Sequence, residues 1–253
     1  MAALADIVDE LDRLLQPVGF SDFCPNGLQV EGREQVGCVV TGVSASLELL
    51  EGALEARADL VLTHHGLFWD GDDRRVTGPL RNRLRLLLAA DISLAAYHLP
   101  LDAHPTLGNN ALLARGIGAT PTAAFAPVGG REIGWIASFD EDGITAEQLR
   151  LRVEELTAHD VLAFPGGPDR VRTLGIVSGG GARNVNDAIA AGLDAFVTGE
   201  PAEWARALAR ESRIHFLAAG HHATETFGVR ALGEHLAARL GVEHTYVDIA
   251  NPV

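Results

Sequence analysis

Leu4, Ile7, Val8, Leu11, Leu14 and Leu15 recur at steps of three and four residues, the spacing that lines one face of an α-helix. The pattern then changes period. Gly37 to Thr41 is a short β-branched run and predicts a strand, followed by a helix over Ser46 to Arg57. A second strand is expected over Asp59 to Thr63, a helix over Arg81 to Ala90, a third strand over Ile92 to Tyr97 and a helix over Thr106 to Gly116. Strand and helix alternate at βαβ spacing, so a mostly parallel sheet is predicted.

The Ala-, Pro-, Thr- and Gly-rich stretch Gly118 to Gly130 reads as a boundary. Beyond it the alternation restarts: strand Glu132 to Ser138, helix Thr145 to Thr157, strand Val171 to Val177, helix Val185 to Ala191, strand Ala195 to Thr198. Helix Pro201 to Arg210, strand Ile214 to Ala218, helix Thr224 to Leu240 and strand Thr245 to Ile249 complete it. The expected class is α/β: two lobes with mostly parallel or mixed sheets flanked by helices. Residues 1–125 plus 219–253 form the first lobe, and 126–218 are inserted as the second.

The end of the second predicted strand is Thr63-His64-His65-Gly66-Leu67-Phe68-Trp69, and the third runs into Tyr97-His98-Leu99-Pro100-Leu101-Asp102. Far downstream stands Gly220-His221-His222-Ala223-Thr224-Glu225. Neighbours inside a strand point to opposite faces, so His64 and His65 share a site only if the strand stops there, and Gly66 suits such a stop. Strand ends are also where open parallel sheets place ligands. His221 and Glu225 share one face if the helix has begun by His221. Pro100 and Pro105 predict a rigid extended loop around Asp102, with His98 and His104 flanking it. Three imidazoles and two carboxylates suit Zn, Fe, Mn or Ni, and a bridging carboxylate can hold two ions.

Weaker features read as scaffold. Ser178-Gly179-Gly180-Gly181-Ala182 lacks a Walker lysine and predicts a plain strand-to-helix turn. Glu200, after Thr198-Gly199, is either a general acid/base or a helix-start carboxylate, the latter favoured. His159, His215, His235 and His244 have no visible partner, and His222 points away from a helical His221 face.

Composition narrows the chemistry. The chain has 253 residues, 47% of them hydrophobic, enough for a sizeable core. All 20 basic residues are arginine, which excludes Schiff-base and P-loop chemistry. A net charge of -14 disfavours nucleic acid, whose phosphates need cationic partners. No Gly-x-Ser-x-Gly elbow is present. The two cysteines, Cys24 and Cys38, form no metal or redox spacing and fit a reducing cytoplasm, and no apolar run is long enough to span a bilayer.

These motifs, together with Cys24-Pro25-Asn26-Gly27-Leu28-Gln29-Val30, Gly108-Asn109-Asn110 and Thr198-Gly199-Glu200, stand in an order that resembles the GTP cyclohydrolase 1 type 2 homolog, or NIF-three-like, family over essentially the whole chain. The resemblance implies two α/β lobes with two divalent transition-metal ions per chain in the cleft between them, and a toroidal homohexamer built as a trimer of dimers. It implies the ligands His64, His65, Asp102, His221 and Glu225, with Asp102 and Glu225 bridging and His98 close by. The chemistry such a site supports is hydrolysis of a small, nucleotide-like molecule by metal-activated water, with His98 or Glu200 handling protons. The competing expectation is a non-catalytic metal-binding assembly or regulatory interaction protein.

Overall fold

The computed structural model describes residues 1–253, and the chain divides into two compact units. Met1–Leu101 and Gly228–Ala250 form the first; Asp102–Phe227 and Asn251–Val253 form the second. The first two changes of unit fall inside helices, Leu99–Ala103 and Thr226–Leu240, and the third lies in the C-terminal segment after the last strand.

The first unit holds a five-stranded sheet in the order Glu243–Tyr246, Cys38–Ser44, Leu60–His65, Ser93–Ala96, Gly27–Val30. Its pairings are parallel except at the edge, where Gly27–Val30 runs antiparallel to Ser93–Ala96. Leu60 to Thr63 and Ser93 to Ala96 are buried residue by residue, which is why these strands read as continuous apolar runs and not as alternations. Helices Leu47–Glu55 and Gly78–Ala90 pack on the sheet through Leu49, Leu50, Ala53 and Leu87, beside Val40, Val61 and Leu94. Ser46 starts the first of these by accepting the Leu49 N–H at 3.1 Å. Each fully buried Leu, Ile or Val contributes roughly 1.5–3 kcal/mol of transfer free energy before chain entropy is counted.

The second unit holds a six-stranded mixed sheet in the order Thr120–Val128, Arg131–Ser138, Thr173–Val177, Ala195–Thr198, His215–Ala218, Leu162–Phe164. Only the central pairings are parallel. Leu113, Leu149, Val153, Leu174, Ile176, Val197 and Leu217 form its core. Thr145 and Gln148 close a reciprocal capping box at the start of Ala146–Thr157.

Several elements differ from the reading of the sequence. The stretch 118–130 contains a nine-residue strand, Thr120–Val128, in a hairpin with Arg131–Ser138. Its Pro121 and Pro127 are compatible with a strand at the edge of the sheet, where few donors are needed. The expected extended loop at 99–103 is a turn of helix: Pro100 occupies its first turn, where a missing N–H costs nothing. The last strand is Glu243–Tyr246, earlier than expected. No helix is long and apolar enough to cross a membrane.

Candidate metal centre

The strand Leu60–His65 ends one residue before Gly66, and this ending lets two adjacent histidines serve one place. The His64 and His65 rings stand 4.7 Å apart, centroid to centroid, and His98 joins them at 5.0 Å and 5.7 Å. One ligand atom from each of the three lies within 4.8 Å of the others, so these residues could hold a metal ion. Each Nδ1 is engaged by a neighbour. His64 Nδ1 meets the Tyr97 carbonyl at 3.0 Å, His65 Nδ1 the Ser44 hydroxyl at 2.9 Å, and His98 Nδ1 the Asp22 carboxylate at 2.7 Å. A carbonyl and a carboxylate only accept, so neutral His64 and His98 carry their proton on Nδ1 and their lone pair on Nε2. This outer shell is the arrangement that orients metal-binding imidazoles.

The segment Asp22 to Val30 builds this shell. Asn26 Oδ1 accepts the His98 N–H at 2.7 Å, and Gln29 Oε1 accepts the Leu67 N–H at 2.8 Å, fixing the turn after His65. Asp22 was not legible as functional in the sequence; nothing but its partners distinguishes it from a surface aspartate. Burial would raise its pKa, but bonds from His98, Asn26 and the Phe23 N–H outweigh burial and hold it below the ordinary value. Cys24 is the opposite case: burial, then Asp22 and Asp70, push its thiol up to about 12, so it is no thiolate nucleophile. Trp69 stands 5.6 Å from His65 and 5.2 Å from His98. With Phe68, Asp70, Asp72, Asp73 and Arg74 it also lines a cavity of about 380 Å³, which none of the three histidines reaches.

The remaining expected residues, Asp102, Glu200, His221 and Glu225, lie in the second unit. Asp102 is buried, and its Oδ1 accepts from Asn109 Nδ2 at 2.8 Å and from the Ser178 hydroxyl at 3.1 Å. Asn110 accepts the Ser178 N–H at 2.7 Å and donates to the Ile133 carbonyl at 2.8 Å, so both asparagines of the Gly108-Asn109-Asn110 motif are scaffold for Asp102. The next residue, Gly179, has φ +58 and packs directly against Glu225 and His221; a Cβ there would overlap Glu225 Oε1. The glycine-rich loop read as a plain turn therefore supports both buried carboxylates, through consecutive residues. Its signal was the run of glycines, which marks close backbone approach as well as turns.

His221 has begun a helix, His221–Thr224, as the shared-face reading required. Its Nε2 lies 3.2 Å from Glu225 Oε2, and its Nδ1 lies 2.6 Å from Glu200 Oε1. Burial would lower the His221 pKa, but Glu225 and then Glu200 more than offset burial and raise it to about 9. A divalent ion bound at His221 Nε2 would take the place of a proton there. Glu200 is not at a helix start, since the following helix begins at Ala205; its carboxylate, 43% exposed, orients His221 instead. His215, His235 and His244 bond to Pro168 O, Glu10 and Thr41, as structural residues do.

The family profile described as Duf34/NIF3 (NGG1p interacting factor 3) matches residues 2–252. A Pseudomonas aeruginosa protein named GTP cyclohydrolase 1 type 2 homolog is 46% identical over 250 residues, covering 99% of this chain and 98% of its own. An Escherichia coli protein of the same name is 43% identical, over 96% and 98%. Among solved structures, protein ybgI, of unknown function, superposes with a TM-score of 0.93 at 40% identity over the whole of both chains. TTHA1606 from Thermus thermophilus does so at 0.86 and 35%, covering 99% of this chain and 100% of its own.

Proposed function

This chain belongs to the Duf34/NIF3 family, and we propose that it is a dinuclear metal-binding hydrolase acting on a small, nucleotide-like molecule. In this proposal the metal ligands are His64, His65, Asp102, His221 and Glu225. The observation that carries it is the donor chemistry. Histidines 64 and 221 have an acceptor on Nδ1, and the carboxylates of Asp102 and Glu225 are buried against polar donors and a histidine, the company that divalent transition ions require.

Zn, Fe, Mn and Ni all suit nitrogen and carboxylate donors. When bound, such ions lower the pKa of water toward neutrality and polarise an electrophilic carbon or phosphorus group. The chain's own residues supply the rest. His98, with its proton on Nδ1, takes a proton at Nε2 and returns it to the leaving group. Glu200 keeps the proton on His221 Nδ1. Trp69 offers an aromatic surface beside His65 and His98 for a planar substrate.

The test is turnover of a panel of cyclic amidines, amides and phosphoesters with Zn²⁺ or Mn²⁺ added, beside Asp102→Ala. The proposal expects metal-dependent turnover that Asp102→Ala abolishes while its circular dichroism matches wild type. Turnover that survives in Asp102→Ala, or a panel without any turnover in protein loaded with metal, refutes the hydrolase. The second of these results points to the non-catalytic metal-binding assembly.

A further inference from the structure

We propose that Asp22 is a positioning residue for His98: its carboxylate fixes the imidazole with the proton on Nδ1 and the lone pair on Nε2. The inference rests on the reading of His98 as the proton carrier of the hydrolase. A neutral imidazole otherwise places its proton on either nitrogen, and only the Nδ1–H form can accept at Nε2.

The geometry is specific. Asp22 Oδ1 lies 2.7 Å from His98 Nδ1 and also accepts the Phe23 N–H at 2.7 Å. Asp22 Oδ2 accepts from Asn26 Nδ2 at 2.8 Å and from the Leu99 N–H at 3.0 Å. Four N–H donors, with the Cys24 thiol at 4.0 Å from Oδ1, thus surround one carboxylate whose side chain is 3% exposed, so it can neither rotate nor offer its oxygens to water. An asparagine cannot replace it, because its NH2 would face donors at whichever end it occupied. The His98 backbone is tied separately, by Asn26 Oδ1. The ring is held in place by the aromatic groups around it, with His64 at 5.0 Å, Trp69 at 5.2 Å and Phe23 at 6.5 Å.

Asp22, Cys24 and His98 also stand close enough to be read as a cation site. Four N–H donors on the carboxylate argue against that, since an ion would have to displace them. The carboxylate is committed to orientation, as in other carboxylate–imidazole pairs, where it selects the tautomer and stabilises the ring once protonated.

The test is long-range nitrogen–proton NMR on the full chain with isotope-labelled histidine, metal-free and at about pH 8, above the ordinary histidine range. The expected wild-type spectrum has His98 protonated on Nδ1, with a protected N–H signal. Asp22→Asn is expected to lose that signal, and Asn26→Ala, which loosens the same segment but keeps the carboxylate, to retain it. A proton on Nε2 in wild type overturns the proposal, and so does an unchanged spectrum in folded Asp22→Asn. Loss of the signal in Asn26→Ala also overturns it, by assigning the effect to the segment. Should Asp22→Asn not fold, the wild-type spectrum decides alone. A second spectrum, with NMR-active cadmium bound, is expected to show coupling to His64 and His65 but not to His98. Coupling to His98 makes it a ligand and overturns its positioning for proton transfer. Failure to bind any ion refutes the metal reading and leaves the tautomer result standing, so the two failures are distinguishable.

Discussion

Substituting Gly179 by alanine adds one methyl group where the backbone and the carboxylate both oppose it. The residue sits at φ +58, a left-handed conformation that costs an L-residue with a Cβ about 1–2 kcal/mol. The new carbon would also overlap Glu225 Oε1 and come within 3.0 Å of His221 Nε2. Glu225 is 3% exposed and has no open space to retreat into, so its 3.2 Å contact with His221 must break or the loop must shift. Losing a buried charged contact costs a further 1.5–3 kcal/mol or so, which puts the total loss at roughly 2.5–5 kcal/mol. Gly180 provides the control. Its φ of −78 is ordinary, and a Cβ there meets only His221 Cε1 at 3.9 Å, so Gly180→Ala is expected to change stability by less than about 1 kcal/mol. Urea unfolding followed by circular dichroism measures the first quantity. Competition with a zinc indicator measures the second, an affinity expected to fall at least about tenfold, or 1.4 kcal/mol, in Gly179→Ala. If the two variants unfold alike and bind zinc alike, the packing of this loop on Glu225 has no part in the site.

Three further outcomes follow from the same structure. Ser178→Ala removes a donor to buried Asp102 and is expected to lower zinc affinity about 10–100-fold, read by the same competition. Phe196→Ala opens a cavity beside Phe125 and Phe216 and is expected to cost about 3–5 kcal/mol, read as a lower urea midpoint. Glu10 is held down to about 2 by Arg13 and then His235, against an unfolded value of 4.5. A depressed carboxylate stabilises fully above its unfolded pKa, and that stability is lost as pH falls from about 4.5 through about 2. The stability difference between wild type and Glu10→Gln is therefore expected to be largest near pH 6 and to shrink toward pH 2.5 or so in urea titrations; a difference independent of pH contradicts the pairing.

The sequence carried the local part of this architecture and little of its outer shell. His64-His65-Gly66 was readable because a strand that stops is the one way adjacent side chains can serve one place, and the His64 and His65 rings do lie together. His221 and Glu225 were readable from helical spacing, and they are in contact. Asp22 was not, because its role exists only through residues 76 positions away. Asn109 and Ser178 converge on Asp102 from separate segments for the same reason. Thr120–Val128 was missed because its prolines and alanines carry a weak strand signal, and its place at the sheet edge comes from pairing with Arg131–Ser138. At Pro100 local chemistry was read too strongly, since proline forbids a helix interior but not a first turn.

The dinuclear site stands or falls on the metal content per chain of untagged protein, by plasma mass spectrometry, beside His64→Ala and Glu225→Gln. About two transition-metal ions per chain are expected in wild type, the complement of a two-metal hydrolytic site, with a clear loss in both variants. Wild-type protein that holds no metal after reconstitution, or variants that retain the full complement, would contradict it.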